Sequence, residues 1–131
     1  DGLVVGTGSV VSACTARSNT SDGIVAGAQC HIVFNLCVSN GAGGNGAGIH
    51  ITGSDCRIEG NNCSGADYGI QVPFSGNLII KNSCSGNTTN WSFAAGNAYG
   101  PIIASPSGAA VSGNTATAAL GTTDPNANFS Y

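Results

Sequence analysis

The side chains able to do chemistry in this chain are few and scattered. Six carboxylates (Asp1, Asp22, Asp55, Glu59, Asp67 and Asp124) stand beside three bases, Arg17, Arg57 and Lys81, and two histidines, His31 and His50. Glycoside hydrolysis needs two carboxyl groups facing one cleft at about 5–10 Å, and the sequence holds no Asp-Asp pair. The six cysteines are Cys14, Cys30, Cys37, Cys56, Cys63 and Cys84, with no Cys-x-x-Cys among them. Gly41-Ala42-Gly43-Gly44-Asn45-Gly46 has the spacing of a dinucleotide-binding turn, but no helix or βαβ unit follows, so it reads as a loop. Read from Gly43, the same stretch has Gly48 where a calcium-binding nonapeptide turn needs its Asp, and the period does not recur. No catalytic residue, cofactor site or metal site is indicated.

Composition narrows the field in the same direction. At 131 residues the chain is one domain. Only 7% of it is charged, where about a quarter is usual. The net charge of −3 leaves no basic cluster to neutralise phosphates, so neither nucleic acid nor an anionic membrane is expected as a partner. No apolar run approaches the ~20 residues that span a bilayer, so no membrane insertion is expected. Asp1 opens the sequence without an initiator methionine or a signal segment, and a processed or excised piece of a longer chain is expected.

Whether the scattered groups meet depends on the elements that carry them, and these repeat. Gly2-Leu3-Val4-Val5, Gly23-Ile24-Val25-Ala26, Gly48-Ile49-His50-Ile51 and Gly69-Ile70-Gln71-Val72 share one pattern, with Ser92-Phe93-Ala94-Ala95 as a degenerate fifth copy. Their leading positions are 21, 25, 21 and 23 residues apart. A second strand series follows in frame: Cys30-His31-Ile32, Cys56-Arg57-Ile58 and Asn77-Leu78-Ile79. Then comes an Asn-x-Cys step at Asn35-Leu36-Cys37, Asn61-Asn62-Cys63 and Asn82-Ser83-Cys84, with Asn114-Thr115-Ala116 as a fourth. Ile32, Ile58, Ile79 and Val111 sit three before those asparagines, and Cys14 is placed in the same cysteine column.

Short strands separated by Gly, Asn and Ser turns at a period of about 20–25 residues predict a coil of three strands per turn. Neighbouring copies then lie about 4.8 Å apart in parallel register. Alternation puts Cys56, Ile58, Ile49 and Ile51 inside, and Arg57, Glu59 and His50 outside. The asparagines form a turn ladder, because Asn tolerates left-handed backbone and its amide bonds the same side chain one rung away.

Gly-Ile-x-Val, a Gly/Asn turn, then x-Ile-x-x-Asn-x-Cys resembles the right-handed parallel β-helix repeat proteins of the pectate-lyase-like superfamily. The ending Gly121-Thr-Thr-Asp-Pro-Asn-Ala-Asn-Phe-Ser-Tyr131 resembles the C-terminus of secreted bacterial members without an assigned activity. The resemblance implies an all-β, right-handed parallel β-helix (β-solenoid) of about five rungs with an extended C-terminal tail. Rungs are expected over residues 1–116, degenerate from about 98 where prolines interrupt, and the tail over 117–131. The superfamily's lyases use clustered acids for Ca²⁺ with a basic proton acceptor, and its hydrolases use several close carboxylates. Here only Asp1 and Asp22 stack, and the bases fall in different columns, so no enzyme is expected.

The remaining candidates concern contacts. Tyr68 and Trp91 precede their strands at one offset and are expected to stack at the surface, as a sugar platform, a subunit contact or simple aromatic packing. Cys30 and Cys56 stack and are the pair for a disulfide, although a ladder of free thiols is favoured, since in-register parallel side chains seldom meet the S–S torsion. His31 and His50 are read as outward and unpartnered. Residues 1–5 enter strand pattern at once, leaving a strand edge for another chain. Leu3 and Val5 at that edge, Leu78 and Ile80 as an outward strip beside Val33, and Phe129 and Tyr131 in the tail are the expected subunit contacts. The function expected is a secreted or cell-surface structural module that self-associates, with a polysaccharide-binding module, or less so a degenerate lyase or hydrolase, as the alternative.

Overall fold

The structure, a computed structural model, describes residues 1–42, 44–104 and 122–131. Its strands stack into three parallel sheets, as the repeat demands. The first holds β1 (Leu3–Val5), β4 (Ile24–Ala26), β7 (Ala47–Ile51), β10 (Tyr68–Val72) and β13 (Thr89–Phe93), in that order. The second runs β2 (Val10–Ser12), β5 (His31–Val33), β8 (Arg57–Glu59), β11 (Leu78–Ile80), β14 (Ala98–Tyr99). The third runs β3 (Thr15–Arg17), β6 (Leu36–Val38), β9 (Asn62–Ser64), β12 (Ser83–Ser85), β16 (Asn128–Ser130), β15 (Ile102–Ala104). This is a parallel β-helix of about five turns. Inside it, Ile24, Ile49 and Ile70 form one fully buried column and Ile32, Ile58 and Ile79 another. β-Branched residues suit this pleated stack because their restricted χ1 matches a strand's geometry.

Three corners close each turn, and each corner is built from the same two residues. The first is left-handed: Gly8, Gln29, Asp55, Gly76 and Gly96 at one corner, Ala13, Phe34, Gly60 and Lys81 at the next, Ser18, Ser39, Gly65 and Gly86 at the third. The second must satisfy a backbone N–H that the corner has turned out of the strand ladder. At the middle corner the N–H of Cys14 donates to Asn35 Oδ1 (3.0 Å), that of Asn35 to Asn61 Oδ1 (2.9 Å), that of Asn61 to Asn82 Oδ1 (2.9 Å) and that of Asn82 to Asn128 Oδ1 (3.0 Å). The first corner mixes chemistries. There the N–H of Cys30 donates to Cys56 Sγ, that of Cys56 to Asn77 Oδ1 and that of Asn77 to Asn97 Oδ1. A thiol and an amide serve the same backbone group, so Cys30 and Cys56 give way to Asn77 and Asn97 along one column.

Two placements differ from the sequence pattern. Cys14 begins the asparagine column; Ala16 stands under Cys37, Cys63 and Cys84. The fifth copy of the first strand is shifted by two residues, with Trp91 over Ile70 and Phe93 over Val72. Its step is therefore 21 residues, and Ser92 faces outward over Gln71. Val111, Asn114 and Ala116 lie outside the described residues.

The tail ends inside the coil. After β14 the chain leaves the fifth rung at Gly100, and β15 sits one level further on in the third sheet. Asn128–Ser130 fills the vacated level, with Phe129 beside Ser83 and Ser130 beside Cys84. The fifth rung is thus assembled from two separate segments. An added Cβ at Gly100 would overlap the carbonyl oxygen of Asn126, so glycine is what lets the segments cross.

Candidate functional site

Tyr68 and Trp91 are not brought together. Tyr68 pairs in register with Ala47 and Thr89, whereas Trp91 turns inward over Ile70 and packs on the core. Trp91 meets Phe93 edge-on (ring centroids 5.9 Å), and Phe93 meets Tyr99 (5.6 Å), so the aromatics close the last turn of the coil. The Nε1 atom of Trp91 is buried without an acceptor among the described residues.

The outward apolar strip is also broken. Leu78 lies in a column with His31 and Arg57, and Ile80 in one with Val33 and Glu59. Arg57 Nε bonds Glu59 Oε2 (2.7 Å) and Lys81 Nζ bonds Oε1 (2.8 Å), which puts charge between the apolar residues. Lys81 and Arg57 together hold the Glu59 carboxyl below its ordinary pKa. Ile80 is only 7% exposed, and beside it the Lys81 N–H donates to the Asn126 carbonyl of the returning segment. It is therefore not a free contact. Phe129 is half-buried within the ladder, and Tyr131 is exposed.

At the opposite end the apolar layer is open. Leu3 and Val5 point inward and pack on the core, yet stay half-buried where Ile24 and Ala26 beneath them are fully covered. Strands β1, β2 and β3 each form the edge of their sheet. Among the described residues nothing pairs with these three edges.

His50 has a partner that the outward assignment misses. Its Nδ1 lies 3.0 Å from Asp22 Oδ2, and Asp22 Oδ1 accepts from the Ala47 N–H (2.6 Å). Asp1 Oδ1 in turn accepts from the Asp22 N–H (3.1 Å), which gives the expected Asp1–Asp22 stack. A carboxylate just before the first strand and a histidine on the next rung's outward face was the available signal. Asp67 Oδ2 accepts from the Gly46 N–H, so this carboxylate too is spent on a corner. Among the described residues no nucleophile is hydrogen-bonded to the Asp22–His50 pair.

All six cysteines are free thiols, and only Cys14 is exposed. Cys30 and Cys56 carry no bond between them; their Sγ atoms lie on the Gly6 and Gly27 carbonyls at 3.2 and 3.1 Å. Cys37, Cys63 and Cys84 stack on consecutive rungs in the core. Bonding to the neighbouring thiol and burial push the Cys37 thiol far up, and Cys63 is raised by Cys84 and by burial despite an opposing bond from Cys37. Burial also raises Cys56. Such thiols stay protonated and inert at neutral pH.

Residues 3–123 match the family model described as NosD, periplasmic copper-binding protein. The match supports the coarser part of the resemblance seen in the sequence, a parallel β-helix repeat protein. Neither the curated proteins nor the solved structures contain a match.

Proposed function

The chain belongs to the periplasmic copper-binding protein (NosD) family, and on that premise we propose that it is a non-catalytic extracytoplasmic β-solenoid module that self-associates through the ends of its coil. A periplasmic family agrees with a secreted or cell-surface location, and among the described residues no helix is long and apolar enough to cross a membrane. The observation that carries the proposal is the stack itself, in which every rung offers three parallel strands and an inward apolar layer to the next in register. An unpaired parallel edge templates another strand, and a head-to-tail contact between such ends builds open filaments. Low charge supports the reading, since little repulsion opposes close stacking of copies.

The non-catalytic part rests on how the reactive groups are used. Asp22, Asp67 and the ladder asparagines satisfy backbone N–H groups, Glu59 is neutralised by two bases, and the core thiols hold their protons. Copper, which the family's description names, does not fit the residues present. Among the described residues no three His, Cys, Asp or Glu side chains are placed to hold a metal ion, the stacked core cysteines included. Soft thiolates would suit Cu(I), but metal binding requires the thiol proton to leave, and here burial and thiol–thiol bonds oppose that. A polysaccharide ligand would need a surface that does not depend on Trp91, which turns inward onto the core.

Sedimentation velocity from micromolar to millimolar chain, with electron microscopy of the concentrated sample, tests the proposal. Mass that grows with concentration into rods is the expected result. A monomer at every concentration removes self-association.

A further inference from the structure

We infer that the fifth rung contains a strand-acceptor slot addressed to the chain's own C-terminal sequence, and that this strand exchanges between copies. The inference rests on the self-association reading and gives it a route distinct from end-on stacking.

The slot is defined by what surrounds β16. It lies between β12 and β15, although in chain order it comes after both. Its address is polar and buried. Asn128 Oδ1 accepts from the N–H and the side-chain amide of Asn82 (3.0 and 3.2 Å), and Asn128 Nδ2 donates to the Ile79 and Gly100 carbonyls (3.1 and 3.0 Å). The backbone adds four bonds: Lys81 N–H to Asn126 O, Asn128 N–H to Pro101 O, Phe129 N–H to Asn82 O and Tyr131 N–H to Cys84 O. Asn90 Nδ2 reaches Ser130 Oγ. Without the strand, Asn82, fully buried, has an N–H with no acceptor. A slot that costs a buried orphan when empty favours being filled.

Nothing in these contacts depends on which copy supplies the strand. Asn128 is 24 positions beyond Ala104, the last residue of β15. The closed and exchanged forms make the same bonds, which is the condition for domain swapping. Exchange takes over once copies are packed densely enough to match the effective concentration of a strand joined within its own chain, on the order of millimolar. Gly100 gates the slot, because any side chain there meets the Asn126 carbonyl.

Complementation between two full-length variants tests this. Asn128→Pro leaves the slot intact and its own strand unable to enter; Gly100→Val leaves the strand intact and its own slot blocked. Each alone is expected to elute as a monomer at about 50 μM, and their mixture as a one-to-one heterodimer. A mixture that elutes as the sum of two monomers overturns the inference. Assemblies that persist in each variant alone, with no heterodimer, leave self-association standing and remove strand exchange as its route. Should either variant fail to fold, a dye-labelled peptide of residues 122–131 is mixed with the wild-type chain at about millimolar chain concentration, where its slots exchange strands. Anisotropy should rise for the natural peptide and stay flat for the same peptide carrying Asn128→Pro. A flat signal for both overturns the inference.

Discussion

Asn61→Ala is the sharpest perturbation of the corner ladder. Asn61 is 1% exposed and its amide makes four bonds: Oδ1 accepts from the Asn35 N–H (2.9 Å) and Asn35 Nδ2 (3.0 Å), while Nδ2 donates to Ile32 O (2.8 Å) and Asn82 Oδ1 (3.0 Å). Alanine removes all four. Asn35 Nδ2 keeps a bond to Val11 O and Asn82 Oδ1 keeps the Asn61 N–H, so these two groups are only weakened. The Asn35 backbone N–H is left buried with no acceptor, which costs about 1–3 kcal/mol. The other three bonds are worth about 0.5–1.5 kcal/mol each. The expected loss is about 3–6 kcal/mol, a large share of the 5–15 kcal/mol typical of a domain. Asn62→Ala is the control, because Asn62 is exposed on β9 beside Leu36 and Ser83; it should cost less than about 0.5 kcal/mol. Urea unfolding followed by circular dichroism reads both from the midpoint and slope. A loss below about 1 kcal/mol for Asn61→Ala, or equal losses for the two variants, would refute the reasoning.

Further expectations follow from the same geometry. Glu59→Gln should cost about 0.5–1 kcal/mol at pH 7. Because the Glu59 pKa is lowered in the folded state, its contribution is present above the ordinary value of 4.5 and fades as pH falls below it, so wild type and variant should converge in acid melts. Iodoacetamide on the native chain should alkylate Cys14 alone, with the other five thiols reacting only in denaturant; mass spectrometry counts the adducts, and early labelling of Cys63 would contradict the closed core. Gly69→Ala should destabilise by several kcal/mol, because its Cβ would stand 2.6 Å from the Asn90 carbonyl oxygen and 2.8 Å from Cys84 Sγ. Thermal melts should not move when copper is added or chelator removes trace metal; a rise in Tm with copper would reinstate a site.

Much of the coil was legible because identical positions must stack. The Ile columns, the outward Arg57 and Glu59 and the ladder through Asn35, Asn61 and Asn82 all follow from strand alternation and a constant period. The failures cluster where stacking is incomplete. Trp91 was misregistered because an aromatic replaces the Ile that marks earlier copies at the outermost first-sheet strand among the described residues. Cys14 was placed with the thiols because its corner uses Ala13 where a later copy shows Gly60, and the first ladder residue need not be Asn. Asn128 was invisible to the repeat because its partner, Asn82, is 46 residues away across a skipped level. Tyr68 and Trp91 were read as a surface pair from a two-residue error in the fifth copy. The Asp22–His50 pair was missed although the repeat had the right register, because the contact runs diagonally from a residue just before β4 to the next rung's outward face.

Hydrogen exchange at low and high chain concentration tests the central claim most directly. If copies associate through the ends of the coil, amides of Leu3–Val5, Val10–Ser12 and Thr15–Arg17 gain protection on concentration, while those of the interior strands Ile24–Ala26 and Arg57–Glu59 stay unchanged. Protection that is independent of concentration at β1, β2 and β3 would contradict the account.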